Sequence, residues 1–144
     1  DDKTKILFIC NNNVARSQMA EAIFNSIAKK SRAISAGIDA KANGFAGKEL
    51  SEAGPKVSKV MLANGFDIRK KKSKQLNGKM LKDADIVVFM AEGKMPKAVA
   101  AHKNLIVWDD LPDPRFKGYD AIAETFKAVK KHVLELVSEL GDRA

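Results

Sequence analysis

Lys5-Ile6-Leu7-Phe8-Ile9-Cys10-Asn11-Asn12-Asn13-Val14-Ala15-Arg16-Ser17-Gln18-Met19-Ala20-Glu21-Ala22 joins a short apolar run, a polar loop and the start of an amphipathic pattern. Ile6 to Ile9 are apolar without alternation, which suits a strand covered on both faces. From Ser17 to Lys29 the pairs Met19/Ala20, Ile23/Phe24 and Ile27/Ala28 recur every four residues, an apolar stripe along one side of a helix. Strand, tight loop and helix in direct succession make an anion cradle. The loop N–H groups converge on one concavity, and the helix adds its positive N-terminal end. The three consecutive asparagines fit such a loop, because Asn tolerates left-handed backbone angles and its side chain bonds nearby amides.

Outward from this segment the same alternation continues. Further β-type runs occur at Ala33-Ile34-Ser35-Ala36, Ile86-Val87-Val88-Phe89-Met90 and Leu105-Ile106-Val107-Trp108. Helix patterns lie between and after them. One begins near Pro55, a favoured first-turn residue, turns Val57, Val60 and Met61 inward, and stops at Gly65. A short Ala-rich one follows Pro96, and a long one runs from about Asp120 to Leu140 and ends at Gly141. Strand alternating with helix over the whole length predicts βαβ units in a three-layer α/β sandwich, with the phosphate-binding loop after the first strand. The 144 residues suit one domain, 1–144, and the stretch from Gly37 to Gly54 reads as a surface loop. No run approaches the roughly 20 apolar residues of a membrane span, and the start is too brief and wrongly flanked for a secretory signal, so a cytoplasmic location is expected.

The chemistry concentrates at Cys10. The only cysteine in the sequence cannot form an internal disulfide, and His102 and His132 are too far apart to suggest zinc, so neither metal nor cofactor is expected. A thiol at the mouth of the cradle sits beside a helix N-terminus and the Arg16 guanidinium, both of which favour thiolate over thiol. Arg16, six residues on, can loop back as a planar fork and take two phosphoryl oxygens. The Ser17 hydroxyl is placed either to cap the helix or to donate to the Cys10 sulfur. Expulsion of an alkoxide or phenoxide needs a proton. Asp113, clamped between Pro112 and Pro114 after the last strand, is the expected general acid, with Asp109 and Asp110 as alternatives.

Cys10 to Ser17 followed by Gln18-Met19-Ala20-Glu21-Ala22 resembles the low-molecular-weight protein tyrosine phosphatase family and its arsenate reductase relatives. Ser35-Ala36-Gly37, Ser73-Lys74-Gln75-Leu76 and Asp113-Pro114 follow in the family's order. The resemblance implies a four-stranded parallel sheet in the order 2-1-3-4. It implies Cys10 as nucleophile, Arg16 as phosphate clamp, Asn13 as loop organiser, Ser17 as thiolate stabiliser and Asp113 as acid and then base. The substrate-binding set is then Asn11, Asn12, Asn13, Val14, Ala15, Arg16 and Ser17. There are three departures from the family pattern. Asn12 replaces the usual loop glycine, which is tolerable where that residue is left-handed. Ala15 replaces a second loop cysteine, and Met90 to Met95 lack the further cysteines of a thioredoxin-coupled arsenate relay.

Phe45 and Phe116 are the expected aromatic walls for a flat phosphoaryl group. The net charge of +8 favours an anionic partner by long-range attraction. The run Arg69-Lys70-Lys71-Lys72-Ser73-Lys74 reads as a solvated turn, since no aromatic interleaving or binding motif accompanies it, and neither nucleic acid nor membrane is an expected partner. Three functions fit: hydrolysis of a phosphorylated protein or small aryl phosphate through phosphocysteine, arsenate reduction with an external thiol, or noncatalytic binding of phosphopeptides or oxyanions. Phosphate, sulfate, vanadate and arsenate are expected ligands or inhibitors, and a monomer is expected.

Overall fold

In the computed structural model, which describes residues 3–112, 114 and 117–144, the first strand β1 (Lys5–Cys10) is buried at every position after Lys5. Parallel pairing places β2 (Arg32–Gly37) on one side of it and β3 (Ile86–Phe89) on the other, and β4 (Leu105–Val107) pairs with β3. The sheet order is therefore β2-β1-β3-β4, as the family resemblance implies. The central position explains the continuous apolar run: Leu7, Phe8 and Ile9 have no solvent-exposed surface, and Ile6 has almost none. At about 1.5–3 kcal/mol for each fully buried side chain, these four residues contribute roughly 6–12 kcal/mol. That easily exceeds the cost of a strained turn at the strand's end.

Two apolar layers cover the sheet. On one face Ile6, Phe8, Ile86 and Val88 pack with side chains of α1 (Arg16–Ile27), α3 (Pro55–Ala63) and α6 (Tyr119–Leu140). On the other, Leu7, Ile9, Val87 and Phe89 meet the elements around α4 (Gly78–Asp83) and α5 (Lys97–Ala100). α6 buries Ile122, Phe126, Val129, Val133, Leu136 and Leu140, the stripe expected from its spacing. α3 begins at Pro55, and the chain turns through Gly65 at φ 90° after it.

Several expectations change. The continuously apolar run Leu105 to Trp108 suits a strand covered on both faces, yet in β4, an edge strand paired with β3 alone, Val107 is 49% exposed. The stretch from Gly37 to Gly54 is more than a surface loop. It buries Ala40 and Leu50 completely and contains α2 (Leu50–Ala53), a four-residue helix too short to leave a periodic signal. α4 was equally invisible, since none of its residues is buried and amphipathicity has nothing to report. It is announced only by Asn77, whose side chain accepts from the Met80 N–H at its start.

β2 ends at a residue that lets the loop following β1 lie across it. A Cβ at Gly37 would come within 2.6 Å of the Asn11 carbonyl oxygen and 2.8 Å of both the Asn12 carbonyl carbon and the Asn13 nitrogen, all of them backbone atoms that cannot rotate away. Gly37→Ala is therefore expected to lower stability by about 1–3 kcal/mol, the usual cost of overpacking. The urea midpoint of the variant measures this, and an unshifted midpoint would show that the loop can yield.

Candidate active site

Cys10 is the last residue of β1, 3% exposed, with the loop of residues 11–15 between it and α1. The loop's carbonyls are bonded outward. Cys10 O accepts from the Ile38 N–H at 3.0 Å, Asn11 O from the Asp39 N–H at 2.8 Å, and Asn13 O from the Ser73 hydroxyl at 3.0 Å. In contrast, no backbone N–H of residues 11–15 has an acceptor among the described residues. The α1 N-cap is Ala15, with no side-chain cap bond, and the Ser17 and Gln18 N–H groups of the helix's first turn extend the same set of donors. An anion lodged there receives what the protein itself does not accept.

Asn13 holds this arrangement. Its φ is 57°, the one positive value at a non-glycine residue among those described, so the left-handed position expected at Asn12 falls one residue later. Both ends of the Asn13 amide are used. Nδ2 donates to Ser17 Oγ at 2.8 Å and Ser35 Oγ at 2.9 Å, while Oδ1 accepts from the Lys74 N–H and Gln18 Nε2, each at 2.9 Å. Ser17 Oγ lies 2.8 Å from Cys10 Sγ. Asn13 Nδ2 can only donate to that oxygen, so when Cys10 is a thiolate the hydroxyl hydrogen has the sulfur as its acceptor, and of the two expected roles for Ser17 the cap is not taken.

Behind Asn13 lies support that the sequence did not announce. Ser35 Oγ donates to Glu21 Oε1 at 2.8 Å, Lys71 Nζ pairs with Glu21 Oε2, and Lys74 Nζ stands 3.9 Å from Oε1. Glu21 is only 5% exposed, so its charge is compensated where water scarcely reaches. Burial pushes the Lys74 ammonium below its usual range, opposed by the attraction of Glu21 and aided by the repulsion of Lys71. The basic run is thus not simply a solvated turn: Ser73 is buried, and Gln18 Nε2 reaches the Lys72 carbonyl at 3.2 Å. The only earlier sign was the recurrence of Ser35 and Ser73 in the family's order.

Arg16 is 3% exposed and reaches the same cavity as Cys10. Its Nη2 donates to Asn11 Oδ1 at 3.2 Å and its Nη1 lies 3.1 Å from Glu92 Oε1. Asn11 in turn is zipped to the Glu92 backbone, accepting from its N–H and donating to its carbonyl, both at 2.9 Å. Asn12 Oδ1 accepts from Asn43 Nδ2 at 2.7 Å. The cavity, about 600 Å³, is lined by Cys10, Asn11, Asn12, Val14, Ala15 and Arg16 of the expected set and by Phe45, one of the two expected walls. Asn13 and Ser17 lie beneath it rather than on its surface. Gly54 lets the start of α3 close against the loop, since a Cβ there would meet Val14 Cγ1 at 2.6 Å.

Asp113 and Phe116 lie outside the described residues. Of the alternative acids, Asp110 is engaged elsewhere: its Oδ1 is 2.8 Å from His132 Nε2, and the His132 ring stacks on Trp108 at 4.8 Å. Asp109 is exposed.

A nucleophile-sized thiol, a ring of open amides and a buried guanidinium around one cavity define an oxyanion-handling cysteine site. The chain matches the family model of the low molecular weight phosphotyrosine protein phosphatase over residues 5–144, and it belongs to that family. It is thereby a cysteine-based phosphatase. It is 32% identical over 99 residues to a probable low molecular weight protein-tyrosine-phosphatase, EpsP, of Ralstonia solanacearum, a match spanning 69% of this chain and 63% of that protein. It is 27% identical to an arsenate reductase of Bacillus cereus over 99% of each chain. Among solved structures, Vibrio vulnificus Wzb in complex with benzylphosphonate superposes with a TM-score of 0.84 at 23% identity, covering 96% of this chain and 99% of that one.

Asn13 can be tested apart from its backbone angle. Asn13→Ala leaves several buried polar groups without a partner at about 1–3 kcal/mol each and adds left-handed strain. Asn13→Gly removes the amide without the strain. Both variants are expected to weaken inhibition by phosphate at least about tenfold, the worth of a single charge-assisted bond. Full recovery in the glycine variant would assign the effect to φ alone.

Proposed function

We propose that the protein hydrolyses aryl phosphate monoesters, protein phosphotyrosine foremost, through a phosphocysteine on Cys10. One observation carries the reading: the Cys10 sulfur lies 2.8 Å from a hydroxyl set to donate to it, beside loop N–H groups that have no other acceptor among the described residues.

Cys10 Sγ attacks phosphorus while the ester P–O bond breaks, and the leaving oxygen takes a proton from Asp113. The loop amides and the Arg16 fork hold the three equatorial oxygens, on which charge spreads in the transition state. Water then attacks the phosphocysteine and gives a proton to the Asp113 carboxylate. The S–P bond breaks, inorganic phosphate leaves, and the departing thiolate is met by the Ser17 hydroxyl. The single-domain reading of residues 1–144 accords with a site drawn from β1, α1, α3 and α6. The aryl preference is supported by apolar cavity walls at Val14 and Val57 and by the aromatic ring of Phe45. Family membership in an enzyme class speaks against purely noncatalytic binding.

Cys10→Ser should abolish release of phosphate from an aryl phosphate, and acid quench of the native enzyme should trap one labelled phosphoryl group on Cys10. Wild-type turnover in the serine variant would overturn the mechanism. Asp113→Asn should slow cleavage by roughly a hundredfold, the usual worth of a positioned general acid. An undiminished rate there, with loss in Asp109→Asn, would move the acid.

Likeness to an arsenate reductase over nearly the whole chain favours a second reading, in which arsenate takes the phosphoryl site. With Cys10 as the only cysteine, the two electrons must come from two external thiols: the first attacks the Cys10 sulfur of a Cys10–arsenate adduct, the S–As electron pair passes to arsenic and arsenite leaves, and the second opens the resulting mixed disulfide to free the Cys10 thiolate. Arsenite release that requires added glutathione or another thiol is the expected sign, and none with any thiol tried would remove this reading.

A further inference from the structure

The cavity at about 600 Å³ extends well past Cys10, and its far rim is built by the starts of two other helices. Every charged side chain among its described lining residues is cationic: Arg16 from α1, Lys56 from α3 and Lys117 from the approach to α6. Chance alone would produce such a set often enough in a chain with 26 basic and 18 acidic residues, so sign by itself decides little. Position decides more. Lys56 is the second residue of α3, and that helix's first turn carries no acid. A cation there opposes the positive end of the helix, where a carboxylate would ordinarily be favoured. Lys117 immediately precedes Gly118, the N-cap of α6, where Asp120 supplies one acid that does not line the cavity.

Four other exposed cations have an acid beside them. Lys48 meets Glu52, Arg69 meets Asp67, Lys79 meets Asp83 and Lys127 meets Glu124. Neither Lys56 nor Lys117 has an ion-pair partner among the described residues, and both are exposed. Lys56 stands against the preference of its helix end and shares with Lys117 one apolar-walled cavity whose described lining holds no acid, a placement that fold stability does not explain. Departures of this kind concentrate where a ligand supplies the missing counter-charge.

We infer that Lys56 and Lys117 are specificity-determining residues, which select phosphotyrosine flanked by acidic residues in an extended peptide. This rests on the phosphatase reading above and deepens it. The phosphoryl group occupies the loop, the ring lies between Val14 and Phe45, and carboxylates on the flanking residues meet the two ammonium groups at the rim. A free aryl phosphate uses only the inner part of the cavity.

Synthetic phosphotyrosine peptides with acidic, neutral or basic flanks test this by kcat/KM at low and high salt, with p-nitrophenyl phosphate measured alongside. The acidic peptide should exceed the neutral one by about fivefold at low salt, with the ratio shrinking as salt rises. In Lys56→Glu/Lys117→Glu the order should invert, and in Lys56→Gln/Lys117→Gln, which guards against a charge-reversed protein that fails to fold, the preference should vanish. Lys82→Glu/Lys103→Glu removes the same charge at the opposite edge of the sheet, before β3 and β4, and should leave the ratio in place. Equal rates on the three peptides with p-nitrophenyl phosphate still cleaved would overturn the inference alone. A preference moved equally by the distant pair would also overturn it, as steering by net charge. No cleavage of any substrate would bring down the phosphatase reading together with it.

Discussion

A backbone loop can present its N–H groups to an anion only if something else satisfies its carbonyls and holds its unfavourable turn. In this protein the Ile38 and Asp39 N–H groups and the Ser73 hydroxyl take the carbonyls, and Asn13 holds the turn. Left-handed backbone at residue 13 aligns the loop, and the side-chain amide then spends both its donors and its acceptor on four partners from α1, β2 and the basic segment. Removing such partners from a buried site is costly because water cannot replace them. The loop's shape, the direction of the Ser17 hydroxyl and the openness of the amides therefore stand or fall together.

This dependence explains why charged residues lie so deep behind a phosphate site. Glu21 takes the Ser35 hydroxyl as a donor, which leaves the Ser35 oxygen to accept from Asn13. The carboxylate is itself compensated by Lys71 and approached by Lys74. A buried ion pair of this kind contributes little net stability once desolvation is counted, but it restricts which rotamers the bonded partners can adopt. Orientation is the benefit here, carried through Ser35 and Asn13 to Ser17 and the sulfur. Arg16 receives a similar restraint from the other side, through Asn11 and Glu92.

The cavity has two regions of different character. Its floor is a polar ring of backbone and guanidinium donors, suited to any tetrahedral oxyanion, which accords with relatives named both as phosphatases and as arsenate reductases. Its walls come from the loop of Phe45, the start of α3 and the residues before α6, and they differ from the floor in being apolar with a cationic margin.

Much of this was legible in one dimension. Cys10, Arg16 and Ser17 could be read as a unit because strand, loop and helix are consecutive, and periodicity reports burial directly for β1, α1 and α6. The short helices α2 and α4 left no such trace, and β4 looked more buried than an edge strand is. Nor could spacing show that Ser35 and Ser73, 22 and 60 residues from Asn13, touch it, or that half of a lysine run turns inward. The amino-acid order determined the local chemistry of the nucleophile, since those contacts span less than two helical turns. Tertiary structure alone decided which distant side chains complete the cradle and its rim, because only the packing of β1 between β2 and β3 brings their elements within hydrogen-bond reach.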